Sequence, residues 1–145
     1  MTKYFLSIAG LLAAFTLSVG AAATDEVVVY KSPTCGCCKQ WIKHLEANGF
    51  TVTAKDVANV TPYKAENGVP MRLASCHTAK VGGYVIEGHV PAADIKRLLK
   101  ERPKVTGLTV PGMPEGSPGM EGPRPQRYDV LTFDAGGRVS VFASH

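Results

Sequence analysis

Val27-Val28-Val29-Tyr30-Lys31-Ser32-Pro33-Thr34-Cys35-Gly36-Cys37-Cys38-Lys39-Gln40-Trp41-Ile42 decides how this chain reads. Its first four residues are β-branched or aromatic, the continuous run that a buried strand needs. Ser32-Pro33-Thr34 breaks the run. Lys39 to Ala47 then carries Trp41, Ile42 and Leu45 at helical spacing, and Asn48-Gly49 supplies a stop. Between strand and helix stand three thiols in four residues. A thiolate is both a nucleophile and a soft metal ligand, and the unpaired N–H groups of a helix N-terminus lower its pKa. The stretch therefore predicts a strand, a cysteine loop with ionised sulfur, and a helix. A fourth cysteine, Cys76, follows 38 residues after Cys38, with His77 beside it.

Outward from this unit, Phe50 to Val57 alternates Phe50, Val52 and Ala54 with polar residues, as a second strand should. Val60 to Asn67 is weakly helical and ends at Gly68, after which Val69-Pro70 leads toward Cys76. Tyr84, Val85 and Ile86 mark one strand within Val81 to Val90. Ala92 to Lys100, with Ile95, Leu98 and Leu99 at i, i+3 and i+4, reads as a helix that stops before Pro103. Alternating strands and helices predict a small α/β layer architecture. Gly107 to Pro125 is too rich in Gly and Pro for regular structure. Beyond it, Tyr128 to Phe133 and Arg138 to Phe142 flank Asp134-Ala135-Gly136-Gly137, the pattern of a terminal β-hairpin.

Lys3, the apolar stretch Phe5 to Val19 and Ala21-Ala22-Ala23 read as a secretory signal over residues 1–23, cleaved after Ala23. The apolar stretch is shorter than the roughly 20 residues of a spanning helix, so no stable membrane span is expected after cleavage. The remaining chain of about 120 residues suits one domain. Its core would occupy 24–103, with the loop and hairpin of 104–145 packed on it. The formal net charge is +4, or +3 without Lys3, and the basic residues are scattered. That balance gives no case for nucleic-acid binding. Export implies an oxidising compartment where disulfides form. Two structural disulfides are a poor reading, because adjacent Cys37 and Cys38 cannot pair without strain and separate bridges to Cys35 and Cys76 demand awkward geometry.

Ligand physics points to copper, because Cys and Met select soft Cu(I) whereas carboxylates and water select hard ions. Zinc is the rival, since a C-x-x-C pair plus Cys-His resembles a four-ligand zinc site. It would leave the extra thiol unexplained, and also the paired thioethers of Pro111-Gly112-Met113-Pro114 and Pro118-Gly119-Met120. The candidate ligands are Cys35, Cys37, Cys38 and Cys76, with Met113 and Met120 on a backbone that offers little core to fill. Three clustered thiolates bridge readily, so a multinuclear Cu(I) site is open to them. His77, if it lay in a strand, would point away from Cys76, which makes it a weaker candidate. His44 reads as a surface or boundary residue and His145 as solvated.

Four motifs carry a resemblance: Ser32-Pro33-Thr34-Cys35-Gly36-Cys37-Cys38, Ser75-Cys76-His77-Thr78-Ala79, Gly83-Tyr84-Val85-Ile86-Glu87-Gly88-His89-Val90-Pro91 and Gly107-Leu108-Thr109-Val110-Pro111-Gly112-Met113-Pro114. Together they resemble the CopG-like periplasmic copper-resistance family, which is unrelated to the transcriptional repressor sharing that name. The resemblance implies a thioredoxin-like fold, a periplasmic location, Cu(I) binding, a role in copper redox handling, and His89 as a further ligand. Copper ions would be the principal partner, with copper export components or an electron-transfer protein beyond them. Cys35 and Cys38 have the spacing of a thioredoxin-like redox pair, and Pro70 is the one candidate for the proline, cis or trans, that faces such a pair. Two functions follow: a Cu(I)-binding protein, either a copper oxidoreductase or a passive store, and a thiol–disulfide oxidoreductase using Cys35 and Cys38.

Overall fold

The computed structural model describes residues 26–145, so the expected signal at 1–23 lies outside the described residues. Strand β1 (Glu26–Lys31) leads through Cys35 into helix α1 (Gly36–Ala47), and β2 (Thr51–Asp56) returns parallel to β1. A short helix α2 (Thr61–Glu66) and a 3-10 turn at Met71–Leu73 follow. Then come β3 (Thr78–Val81), β4 (Tyr84–Glu87), α3 (Ala92–Glu101), β5 (Gly107–Thr109), β6 (Asp129–Phe133) and β7 (Val139–Ser144). The strands form one sheet in the order β2-β1-β3-β4-β5-β6-β7. β1 and β2 are parallel, as are β4 and β5; the other neighbouring pairs are antiparallel.

One face of the sheet carries Val27, Val29, Ala79, Val81, Ile86, Leu108 and Val130 against Trp41 and Leu45 of α1 and Ile95 and Leu98 of α3. The period-2 alternation of β1 produces this division: its odd residues are buried, while Tyr30 stacks on Tyr63 of α2 with ring centroids 4.4 Å apart. A smaller cluster of Val69, Leu73, Val85 and Phe133 is also closed off from water. The sheet is thus sandwiched, and the expected α/β layers are present. Among the described residues no helix is long and apolar enough to cross a membrane.

Several local readings need correction. α1 begins at Gly36, so Cys37 and Cys38 lie in the helix and only Cys35 precedes it, as the N-cap whose sulfur accepts from the Cys38 N–H at 3.3 Å. The strand expected within Val81 to Val90 is present as β4, but it is the second arm of a β3–β4 hairpin about Gly82-Gly83 whose first arm was not expected. The first arm, Thr78-Ala79-Lys80-Val81, is too short and too mixed to announce itself. β5 was hidden at the start of the Gly/Pro-rich stretch. Gly107 opens it because a Cβ there would run into the Val85 carbonyl of β4. The terminal hairpin and the stops of α1 and α3 are where the sequence placed them.

Candidate metal centre

The sheet brings distant motifs to one end. β1 runs antiparallel to β3 with Tyr30 opposite Thr78, and β3 pairs with β4 with Thr78 opposite Glu87. Residues following β1 and β4 therefore meet residues preceding β3. There Cys35, Cys37, Cys38 and Cys76 place their sulfurs all within 4.8 Å of one another. Cys35 and Cys38 form a disulfide, and Cys37 and Cys76 are free thiols. The Cys35 and Cys37 sulfurs lie 3.5 Å apart, and those of Cys38 and Cys76 3.6 Å apart.

Cys76 joins this sulfur group to a second one. Its Sγ lies 3.0 Å from His89 Nε2 and 3.3 Å from His77 Nδ1. Both rings are fully buried, with His77 tilted against Trp41 at a centroid distance of 4.3 Å. His77 precedes β3 on an irregular bend, so the strand alternation that would have turned it away does not apply. Burial holds its pKa well below the ordinary histidine value, with His89 pushing the same way, and burial also lowers His89. Neutral imidazole is the ligating form. His77 Nδ1 and His89 Nε2 are the nitrogens that face the Cys76 sulfur and are placed to meet an ion there; the other two, His77 Nε2 and His89 Nδ1, make no hydrogen bond.

Ionised sulfur is not what the structure supports at Cys76. Burial, then the neighbouring Cys37, pushes its thiol up to about 12. It sits on a bend rather than at a helix N-terminus, and the pull of Ser75 and Lys64 toward the thiolate is outweighed by that burial. A soft cation would have to displace that proton.

Met113 and Met120 lie on a loop bound to the site through its backbone. Gly112 N–H donates to the Ala74 carbonyl at 3.2 Å, and Ser75 Oγ donates to the Gly112 carbonyl at 2.5 Å. Gly119 has φ +87, and a Cβ on it would come within 2.8 Å of the Cys37 carbonyl and the Trp41 N–H. The loop thus seats directly on α1, with Met120 half-buried and Met113 51% exposed. No packing role accounts for Met113.

Among the other candidates, His44 is half-buried, and its Nε2 accepts the Ala92 N–H at 3.0 Å, capping α3. His145 is tethered rather than freely solvated: its Nε2 lies 2.8 Å from Asp94 Oδ2 and its ring stacks on Tyr128. All peptide bonds among the described residues are trans. Pro70 caps the 3-10 turn, and the place before β3 opposite Cys38 is taken by Cys76.

Sequence reasoning missed a buried polar network behind the bend. Lys64 of α2 pairs with Glu87 of β4 at 2.5 Å, and Thr78 Oγ1 donates to the other Glu87 oxygen at 2.7 Å. Burial raises the Glu87 pKa against the pull of Lys64. A lysine in the amphipathic pattern of α2 and a glutamate ending a strand look like surface residues, so only the tertiary structure discloses them.

The arrangement defines a thiol-rich α/β protein with soft donors gathered at one end of its sheet. Residues 73–120 match the family described as "Protein of unknown function, DUF411", a span that includes Cys76, His77, His89, Met113 and Met120 but not Cys35–Cys38. Two solved structures of copper resistance protein CopG are similar over nearly their whole length. One, form 2, is 49% identical with TM-score 0.79, covering 83% of this chain and 98% of that one. The other, form 1, is 50% identical with TM-score 0.78, covering 83% and 96%. No curated protein matches the chain. The chain belongs to the CopG-like copper-resistance family, not to the repressor of that name.

Proposed function

We propose that this is an exported copper-binding protein of copper resistance, holding Cu(I) through Cys35, Cys37, Cys38 and Cys76. The observation that carries this reading is the convergence of all four sulfurs within 4.8 Å. Cys and Met donors suit Cu(I), and the neutral imidazoles of His89 and His77 meet the same group at Cys76. Met113 and Met120 would complete the site from the loop above. Sulfurs this close can each bridge, so more than one Cu(I) per chain is expected. The periplasm is the fitting compartment, given the signal-like residues 1–23.

We read the fold as thioredoxin-like, a reading supported by the β1-α1-β2 unit joined through β3 to β4 and α3, with a C-terminal loop and hairpin added. In that frame Cys35 and Cys38 also exchange electrons with the metal. Two thiolates reduce two Cu(II) to two Cu(I) and close as the disulfide; a dithiol or other two-electron donor must reopen it. Oxidation withdraws two of the four ligands, linking redox state to copper release. Thiol–disulfide exchange on protein substrates is the less favoured alternative, because it needs only two of the cysteines and neither histidine.

The test is anaerobic reduction followed by Cu(I) titration, metal analysis and alkylation mapping. The expected result is more than one Cu(I) per chain, with all four thiols protected together and zinc failing to compete. A single zinc retained in excess Cu(I) would overturn the assignment.

A further inference from the structure

The segment Ser75-Cys76-His77 carries the central ligand, yet it belongs to no helix or strand. What fixes it is Glu87. One carboxylate oxygen accepts from the Ser75 N–H at 2.7 Å and from Lys64 Nζ at 2.5 Å; the other accepts from Thr78 Oγ1 at 2.7 Å. Lys64 also donates to Thr78 Oγ1 at 3.2 Å. A single buried side chain thus grips the residue before Cys76 and the residue after His77. Beside it, the Gly88 N–H donates to the His77 carbonyl at 3.1 Å. Gly88 has φ +75, and a Cβ there would lie 2.5 Å from the Ser75 side chain, so the bend is closed from that side too.

Stability does not account for this pair. Taking both charges out of water is costly, and apolar replacement of a whole buried ion pair is often neutral or stabilising. We infer that Glu87, with Lys64 as its counter-ion, is a positioning residue that sets the Cys76 sulfur against Cys38 and His89. Its consequence for copper rests on the function proposed above; its consequence for geometry does not.

A disulfide equilibrium reads the geometry without metal. In the full chain with Cys35→Ser and Cys37→Ser, only Cys38 and Cys76 remain, and oxidised glutathione joins them while releasing two reduced glutathiones. Adding Glu87→Val with Lys64→Met should lower the effective concentration of the two thiols about tenfold or more, since Ser75 N–H loses its acceptor. In the four-cysteine chain the same pair of changes should weaken Cu(I) binding about 10–100-fold, as loss of a group orienting a ligand does. If that double variant does not fold, Glu87→Gln with Lys64→Met, which leaves no unpaired buried charge and offers Ser75 N–H only a neutral amide oxygen, replaces it and should show a smaller fall of the same sign. An unchanged effective concentration in the variant that folds overturns the positioning role, even with copper binding intact. A fall without loss of Cu(I) affinity overturns its consequence for the metal. A parent chain that takes up no Cu(I) would sink the copper function instead, with the glutathione equilibrium still deciding the role of Glu87.

Discussion

At the scale of single residues, Cys76 stands apart because its sulfur touches both halves of the site, Cys38 on one side and the two imidazoles on the other. Cys37 lies 3.5 Å from Cys35 and beside Cys76, but neither imidazole is in contact with its sulfur. Both Cys37→Ser and Cys76→Ser should weaken Cu(I) binding, the second more, by on the order of tenfold or greater, equivalent to about 1.4 kcal/mol. Competition with a chromogenic Cu(I) chelator measures it; equal affinities for both variants and the parent would return the site to a two-thiol pair. His44 makes a separate prediction. As acceptor for the Ala92 N–H it must be neutral, and both burial and the positive end of the α3 dipole oppose its protonation. Its folded pKa is depressed below 6.5, so the unfolded chain binds more protons in that range. The stability it contributes is complete above pH 6.5 and is lost as pH falls below it. His44→Leu should cost about 1 kcal/mol at pH 7.5 and flatten the decline toward pH 5, both read from urea unfolding.

At the scale of elements, the loop from Val110 to Tyr128 is more than a connection. Gly119 lets it lie against the backbone of α1, and Gly112 ties it to the bend that bears Cys76. Met113→Ala with Met120→Ala should lower Cu(I) affinity or alter the rate of copper oxidation while shifting the thermal midpoint little. A large loss of stability with unchanged affinity would show that the thioethers serve packing. Gly119→Val should lift the loop and weaken both. The elements also show what sequence discloses. β1 and α1 were legible because a run of valines and an apolar stripe at helical spacing are strong local signals. β3 and β5 were not, being four and three residues long and held by neighbours rather than by their own pattern. The four thiols could be nominated from composition and spacing alone. The Lys64–Glu87 grip and the nearness of His77 could not, because both depend on a register between strands that only the folded sheet creates.

At the scale of the whole molecule, the centre draws on segments far apart in the chain. Cys35, Cys37 and Cys38 are neighbours even in an unfolded chain, and any Cu(I) that such a chain took up would reduce the stabilisation by the metal. Cys76 and His89 join them only when β1, β3 and β4 are paired. Copper held by all of these donors would therefore be coupled to the pairing of β1, β3 and β4. The reduced protein should gain thermal stability with free Cu(I), by about 2.7 kcal/mol at a hundredfold excess over Kd less the share bound by the unfolded chain. Phe133→Ala offers a remote test, since Phe133 is fully buried in β6, in the smaller apolar cluster. Its loss should cost about 3–5 kcal/mol, a large part of the 5–15 kcal/mol typical of a domain. Cu(I) should restore much of that in the reduced Phe133→Ala protein. With Cys76→Ser added, the rescue should all but vanish, because folded and unfolded chains then offer the metal nearly the same three thiols. If rescue persisted without Cys76, other donors that only the folded sheet assembles, such as His89, would hold the copper, and Cys76 would not be the residue that couples the metal to folding.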